Sequence, residues 1–251
     1  PKSPTAQMSA TPSVAGGEEG GGEEDACAWY GHLDMLHDTE RNMAYAQAIE
    51  LASAALRRRE LPRTAVDVGA GSGLLSCLAT RAGMRVAAFE CVPALAHVSR
   101  AVTAANGLGV DVISAHSTLA ARDGSGGWSV AGEADVHERA SLLVHELLDT
   151  PLIGEGLLTG IRHARDVLHR PDGISIPRSV VLWAVPVHSA HLGRAACVPE
   201  SLMPMPPSVR ECAECAPSYL ELRAHALADL GDLTPLAEPT AVLRIDCHHP
   251  P

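Results

Sequence analysis

Three acidic residues in a mostly apolar stretch are the strongest chemical feature of this sequence. The segment LLVHELLDTPLIGEGLL, residues 142 to 158, contains Glu146, Asp149 and Glu155, and it contains no lysine or arginine. Acids in a concave, partly dry site are costly unless a cation lies beside them. A planar guanidinium, with five donors in a fixed fork, fits two carboxylates better than an ammonium does. Glu146 and Glu155 therefore predict a guanidinium site, and the alternative is a solvated acidic loop.

A glycine-rich turn is the second feature with chemical potential. The segment VDVGAGSGLLS, residues 66 to 76, carries Asp67 and then three glycines, Gly69, Gly71 and Gly73. Glycines between a strand and a helix leave room for a ligand beside the free N–H groups of the helix. Residue 74 is leucine where a dinucleotide fingerprint has its last glycine, which favours S-adenosylmethionine over NAD. Glu90, at the end of the next predicted strand, is placed to accept ribose hydroxyls; the alternative is a tight structural turn.

Alternating strands and helices must position these residues. Apolar runs predict strands at 64–68, 85–90, 110–115 and 141–146. Predicted helices lie before the first strand and between the strands, at 37–61, from residue 74, at 94–105 and at 156–169. This order predicts a parallel α/β sheet with right-handed crossovers. Since parallel strands end at one edge, the glycine turn, Glu90 and Glu146 are expected to share that edge.

Changes in composition predict three regions. Residues 1–26 are rich in Gly, Pro, Ser and Glu and predict a disordered acidic tail. Residues 27–177 form the predicted α/β domain, which includes an RPDG turn at 170–173. Residues 178–251 begin with the β-rich run RSVVLWAVPVH and predict a second domain of β type.

The overall composition narrows the classes of partner and compartment. A net charge of −11 over 251 residues gives no support to a nucleic-acid partner and favours a cationic one. Seven cysteines, an odd number, predict free thiols and a reducing compartment. No apolar run approaches the roughly 20 residues that a membrane span needs. We expect no metal, although one zinc set is an alternative: Cys212, Cys215, Cys247, His248 and His249.

Four motifs, in this order, resemble those of the protein arginine methyltransferases: MLHDTERNMAY, VDVGAGSGLLS, AFE and HELLDTPLIGEG. The resemblance covers roughly residues 30 to 188, and the forms ELLDTPLIGEG and HST, at 116–118, are closest to the monomethylating branch, protein arginine methyltransferase 7. It implies a Rossmann-like S-adenosylmethionine-dependent methyltransferase domain followed by a partial β-barrel. The implied reaction transfers a methyl group from S-adenosylmethionine to a guanidinium nitrogen of arginine in protein substrates.

The resemblance also implies a role for each matching residue. Glu146 and Glu155 hold the substrate guanidinium as the catalytic pair, and Asp149 faces basic residues beside the target arginine. Met35 lies near the transferred methyl group. The implied cofactor-binding residues are Arg41 at the cofactor carboxylate, Asp67, Gly69, Gly71 and Gly73 in the turn, Glu90 at the ribose, and Ser117 and Thr118 beside the adenine.

Two departures from the family pattern keep alternatives open. The family completes its site with a Thr-His-Trp loop, and no His-Trp pair occurs here, so we expect an incomplete site. The β-barrel is also expected to be cut short after AVLRIDCHHPP. One alternative is a truncated or degenerate domain that acts as a binding or scaffold module. Another is a small-molecule methyltransferase, because fold does not fix function. The implied partners are basic proteins such as histones or RNA-binding proteins and a second module in a dimer or pseudo-dimer, in the cytoplasm or nucleus.

Overall fold

A computed structural model describes residues 35–131, 137–149, 152–190, 192 and 231–250. The predicted acidic tail, residues 1–26, lies outside these residues, as do Cys212 and Cys215. Contacts divide the chain into two compact units. The first unit comprises Pro1–Leu147 and Thr159–Ile176, and the second comprises Leu148–Leu158 and Pro177–Pro251.

A parallel sheet of five strands forms the centre of the first unit. The strands of this unit are β1 (Thr64–Val68), β2 (Arg85–Phe89), β3 (Val110–Ile113), β4 (Ala120–Arg122), β5 (Trp128–Val130), β6 (Ala140–His145) and β7 (His169–Ile176). The sheet order is β3-β2-β1-β6-β7, all pairs are parallel, and β4 pairs with β5 as a separate antiparallel hairpin. This arrangement confirms the predicted Rossmann-like α/β class.

Four α-helices accompany the strands in the described part of the chain: α1 (Thr39–Arg58), α2 (Leu74–Arg81), α3 (Pro93–Ala105) and α4 (Leu157–His163). Asp38 caps α1 by accepting from the Arg41 N–H, and the helix ends on basic residues that suit its negative dipole end. Pro93 opens α3, where its missing N–H costs nothing. The helix predicted at 156–169 is α-helical only to His163 and continues as a π-helix over Ala164–Leu168.

Apolar side chains cover both faces of the sheet, as a parallel sheet requires. Neighbouring residues of β6 point to opposite faces, so Leu143 packs in one cluster with Phe89 and Trp128, while Leu142 packs in the other with Leu56. The rings of Phe89 and Trp128 lie 5.3 Å apart between centroids. Because β1 and β6 are buried along their whole length, they appear in the sequence as mostly apolar runs, interrupted by Asp67 in β1 and by Ser141 in β6.

The turn predicted at 170–173 is wrong, because these residues lie within β7. The pairing of β6 with β7 is irregular between Ala140 and Leu142, so the segment bulges away from regular pairing. β7 is at the edge of the sheet, where Pro171 is tolerated because its missing backbone N–H breaks no hydrogen bond to a further strand. The turn-forming residues therefore produce a bulge in an edge strand.

The second unit contains two short antiparallel ladders among its described residues. Its strands are β8 (Ser179–Ala184), β9 (Val187–His188), β10 (Thr234–Pro235) and β11 (Thr240–Asp246). β8 pairs with β11, and β9 pairs with β10. These pairings agree with the β-rich character of the sequence, and the partial barrel stays a prediction.

Three features of the described residues concern thiols, membrane-spanning helices and metal ions. Cys77, Cys91 and Cys247 are free thiols. Over the described ranges, no helix has both the length and the apolar character to cross a membrane. The same ranges contain no cluster of three or more His, Cys, Asp or Glu side chains suited to a metal ion.

Candidate functional site

The glycine turn joins the carboxyl end of β1 to α2. Gly69, Gly71 and Gly73 have φ angles of +77°, +54° and +87°, which favour glycine over residues with a side chain. A Cβ at Gly69 would lie 2.7 Å from Leu147 Cδ2, and a Cβ at Gly73 would lie 2.7 Å from Ser99 Oγ. The backbone conformation favours glycine at all three positions, close neighbours add to this preference at Gly69 and Gly73, and the turn presents the N-terminus of α2.

Glu90 fastens this turn to the end of β2. Its side chain is buried, Oε2 accepts from the Gly71 N–H at 2.7 Å, and Oε1 accepts from the Val92 N–H at 2.8 Å. Each carboxylate oxygen has a second lone-pair site, so two further donors can bind. Glu90 therefore supports the glycine turn. Its predicted contact with ribose hydroxyls would use the second lone-pair site on each carboxylate oxygen.

Asp67 lies beneath the turn with 0% exposure. Its Oδ2 accepts from Ser76 Oγ at 2.6 Å, while Oδ1 has no hydrogen-bond partner among the described residues. Burial raises the pKa of Asp67 to about 7, against the opposing effect of the Ser76 hydroxyl, and the charge of Glu90 raises it further. Oδ1 is thus a buried acceptor beside the glycine turn that remains available to a ligand donor.

Replacing Asp67 by asparagine is expected to change how stability depends on pH. The folded pKa lies above the unfolded value of 3.8, so the folded state binds more protons between about pH 4 and pH 7. The free energy of unfolding of the wild type, relative to Asp67→Asn, should fall as pH rises through this window, by at most about 1.4 kcal/mol per pH unit. Denaturant unfolding of both proteins at about pH 4.5, 6 and 8 measures this difference, because these pH values lie within and just above the window. A difference that does not vary with pH would contradict it.

Ser117 and Thr118 lie just beyond the carboxyl end of β3, in a short 3₁₀ turn over Ser117–Leu119. Ser117 is buried, and the Thr118 N–H donates to Nδ1 of His116 at 3.3 Å. β3 neighbours β2 in the sheet, and the Glu90 N–H donates to the Ile113 carbonyl at 3.1 Å. These two residues therefore follow a strand end on the same edge as Glu90.

Glu146 follows β6 at this edge and pairs with an arginine of α1. Its Oε2 lies 3.1 Å from Nη2 of Arg41, and the two side chains are 15% and 20% exposed, respectively. The Arg41 guanidinium also contacts Sδ of Met35 at 3.8 Å and donates to Oδ1 of Asn42 at 2.8 Å. The sequence of the acidic loop contains no cationic partner, but the fold supplies one. Met35, Arg41 and Glu146 thus come together in the first unit.

Sequence reasoning missed Tyr45 in this cluster. Its hydroxyl donates to the His145 carbonyl at 3.0 Å, and its ring centroid lies 5.4 Å from Cζ of Arg41. The spacing of four residues between Arg41 and Tyr45 on one helix could have indicated the contact. His145 has 0% exposure, and burial lowers its pKa to about 4, so its ring is neutral at pH 7.

Asp149 and Glu155 lie in the second unit, whereas Glu146 lies in the first. Oδ1 of Asp149 accepts from the Gly154 N–H at 3.1 Å, and the Asp149 carbonyl accepts from the Leu152 N–H at 2.9 Å. Glu155 is exposed and follows Gly154 directly. The joint action of Glu146 and Glu155 on one guanidinium stays a prediction, as does the contact of Asp149 with substrate.

Comparison with known sequences finds arginine methyltransferases. No protein-family model matches the chain. The chain is 42% identical over 158 residues to an arginine N(omega)-methyltransferase of Streptomyces achromogenes subsp. streptozoticus, covering 60% of the chain and 38% of that relative. It is 33% identical over 201 residues to protein arginine N-methyltransferase 7 of Danio rerio, covering 76% of the chain and 28% of that relative. The chain therefore spans well under half the length of these curated relatives.

Comparison with solved structures shows the fold. The PRMT1 enzyme-prozyme heterotetrameric complex of Trypanosoma brucei, solved with AdoHcy, matches with a TM-score of 0.65 and 18% identity, covering 87% of this chain and 62% of that one. Protein arginine methyltransferase 10 of Arabidopsis thaliana matches with a TM-score of 0.61 and 22% identity, covering 88% and 63%. The resemblance predicted from the four motifs is confirmed in sequence, and the fold is shared.

Proposed function

We propose that this chain, which resembles the protein arginine methyltransferases in sequence and in fold, belongs to an S-adenosylmethionine-dependent enzyme that methylates a guanidinium nitrogen of arginine. One observation carries the proposal. The Glu146 carboxylate lies at the carboxyl edge of the sheet, which also bears the glycine turn and Glu90, and it already binds a guanidinium, that of Arg41, at 3.1 Å. An arginine substrate would find the same chemistry there.

The residues of the first unit fit the cofactor. Asp67 Oδ1 is a buried acceptor with no partner among the described residues, next to the glycine turn, and Glu90 retains acceptor sites for two hydroxyls. When bound, S-adenosylmethionine supplies an electrophilic methyl group on a sulfonium centre. We assign Gly71, Ser117 and Thr118 to the same contact set, and Arg41 to the cofactor carboxylate.

Glu146 and Glu155 are proposed to orient the substrate. Arginine has a pKa above 12, so the nucleophile is a cation at neutral pH and is repelled by a sulfonium. The carboxylates offset that repulsion and direct one terminal nitrogen toward the methyl group; such positioning can supply on the order of 7 kcal/mol. As the new N–C bond forms, the cofactor's C–S bond would break to leave a neutral thioether. The nitrogen would then lose its proton to a carboxylate or to water, so a strong base is not needed.

Arg41 has a second part in this proposal. It holds Oε2 of Glu146 in place, which leaves Oε1 for the substrate nitrogen. A guanidinium has five donors, so Arg41 can keep this contact and still bind the carboxylate of a cofactor. Arg41 would then connect the binding of cofactor with the orientation of Glu146.

Free arginine is a second candidate substrate. The Streptomyces relative, which is 42% identical over 158 residues, is named for arginine and not for protein arginine. A free amino acid presents the same guanidinium to Glu146, so the carboxylate alone does not separate the two substrates. Recognition of the amino acid's own charges or of a peptide backbone would separate them.

Further details of the function rest on the sequence resemblance. We propose that the enzyme stops at monomethylarginine, in line with the branch that its loop resembles. The proposed substrates are basic proteins such as histones or RNA-binding proteins, and the proposed location is the cytoplasm and nucleus. The proposed assembly is a dimer or a pseudo-dimer with a second module.

The test is methyl transfer from labelled S-adenosylmethionine, measured with the longest native protein that contains these residues. An arginine peptide, the same peptide with lysine in place of arginine, and free arginine serve as acceptors. We expect transfer to at least one arginine acceptor and none to the lysine peptide, and the ratio of kcat/KM values identifies the preferred substrate. A protein that binds the cofactor and methylates neither arginine acceptor would support the scaffold alternative.

A further inference from the structure

Asp149 ties together the segment that carries Glu155. Oδ1 of Asp149 accepts from the Gly154 N–H at 3.1 Å, and its carbonyl oxygen accepts from the Leu152 N–H at 2.9 Å. One residue therefore bonds to the chain at two later points, three and five residues away. Glu155 is the residue that follows the second of these points.

Residues before and after Glu155 are also fixed by burial or by backbone conformation. Leu152 is buried with 7% exposure and has a φ of +74°, a left-handed conformation that leucine rarely adopts. Gly156 has a φ of +75°, and Leu157, with 0% exposure, begins α4. Glu155 is thus held between the hydrogen-bonded Gly154 and the buried Leu157.

Asp149 and Gly154 lie so close together that a side chain at residue 154 would have to displace the Asp149 carboxylate. A Cβ built on Gly154 would lie 1.9 Å from Oδ2 of Asp149, far inside any van der Waals contact. The φ of Gly154 is outside the left-handed region, so a larger residue there would collide with the Asp149 side chain but would not strain the backbone. The carboxylate of Asp149 occupies the space that a side chain at residue 154 would need.

We propose that Asp149 is a positioning residue, whose carboxylate holds the backbone that presents Glu155. The inference rests on the proposed function, in which Glu155 binds the substrate guanidinium. It differs from the role that the family resemblance implies, in which Asp149 faces basic residues beside the target arginine. Asp149 accepts a hydrogen bond from the backbone of its own loop. The acceptor oxygen, and not the negative charge, is therefore the property that positions Glu155.

Two substitutions separate the acceptor from the charge. Asp149→Asn keeps a side-chain oxygen that can accept from the Gly154 N–H, whereas Asp149→Ala removes it. We expect hydrogen exchange of the Gly154 amide to become at least about tenfold faster in Asp149→Ala and to change by less than about threefold in Asp149→Asn. This measurement needs no activity, so it stands even if the proposed function fails. Equal exchange in the wild type and Asp149→Ala would overturn the inference.

The same variants have a kinetic signature. With arginine acceptors, Asp149→Ala should lower kcat by about tenfold, and Asp149→Asn by no more than about threefold, with the KM for the cofactor unchanged in both. The losses should be the same for peptides with and without basic residues beside the arginine. If Asp149→Asn were as impaired as Asp149→Ala, and only on peptides with basic neighbours, Asp149 would instead read the substrate.

Gly154→Ala tests the complementarity from the other side. It should reduce kcat about as much as Asp149→Ala does, because its Cβ displaces the carboxylate. In an Asp149→Ala background it should add less than about a twofold loss, since the colliding oxygen is gone. Gly109→Ala is the matched control, because a Cβ there meets nothing within 4 Å. Additive losses in the double variant would contradict the proposed coupling of Asp149 to Gly154.

Discussion

Replacement of Glu146 by glutamine is expected to lower kcat/KM for arginine methylation by at least about a hundredfold, which corresponds to roughly 2.7 kcal/mol of transition-state stabilisation. Glutamine preserves the shape and one acceptor but removes the negative charge opposite a substrate cation. It also weakens the contact with Arg41, which is 3.1 Å away in the wild type. Steady-state kinetics with an arginine acceptor measure the loss.

A residue at the opposite end of β6 provides the control for Glu146. Glu138 precedes this strand, and its side chain is 48% exposed in an ion pair with Arg85. Exposed pairs of this kind contribute little, so Glu138→Gln should leave kcat/KM within about twofold of the wild type. If Glu146→Gln were as active as Glu138→Gln, Glu146 would not bind the substrate guanidinium.

Replacement of Glu90 by alanine is expected to raise the dissociation constant for S-adenosylmethionine by about 10- to 100-fold. The substitution removes the proposed contact with the ribose, and it also removes the acceptors for the Gly71 and Val92 N–H groups, which hold the glycine turn. Calorimetric titration of the cofactor measures the change.

The controls for Glu90 separate lost binding from lost folding. Thermal unfolding without cofactor shows whether Glu90→Ala retains a cooperative fold, and Glu50→Ala replaces an exposed acid on α1 to which no site contact is assigned. Glu90→Gln should give an intermediate affinity, because an amide has one acceptor oxygen in place of two. A folded Glu90→Ala protein with wild-type affinity would exclude Glu90 from the cofactor site.

The strands of the sheet were predictable because a central parallel strand is buried on both faces. β1 and β6 are buried at every residue, so each leaves a mostly apolar run in the sequence, and the end of the run marks the end of the strand. Since parallel strands end at one edge, the positions of Glu90 and Glu146 followed from the same runs. The bulge at 170–173 did not follow, because Pro and Gly have the same local preference in a turn and in an irregular edge strand.

Contacts between distant residues were less accessible to sequence reasoning. The Arg41–Glu146 pair joins α1 to the end of β6, and no periodic pattern connects the two positions. The bond from Ser76 Oγ to Asp67 Oδ2 likewise depends on how α2 returns over β1. The Asp149 turn is different. Aspartate side chains often accept hydrogen bonds from backbone N–H groups a few residues later, so this tendency could have indicated the turn.

The most direct test of the account is to locate the transferred methyl group by mass spectrometry. The longest native protein that contains these residues is incubated with S-adenosylmethionine and an arginine peptide or free arginine, and the product is fragmented. One added methyl group is expected on a guanidinium nitrogen, and no such product is expected from Glu146→Gln protein that still binds the cofactor. A methyl group on any other atom, or equal product from the wild type and Glu146→Gln, would contradict it.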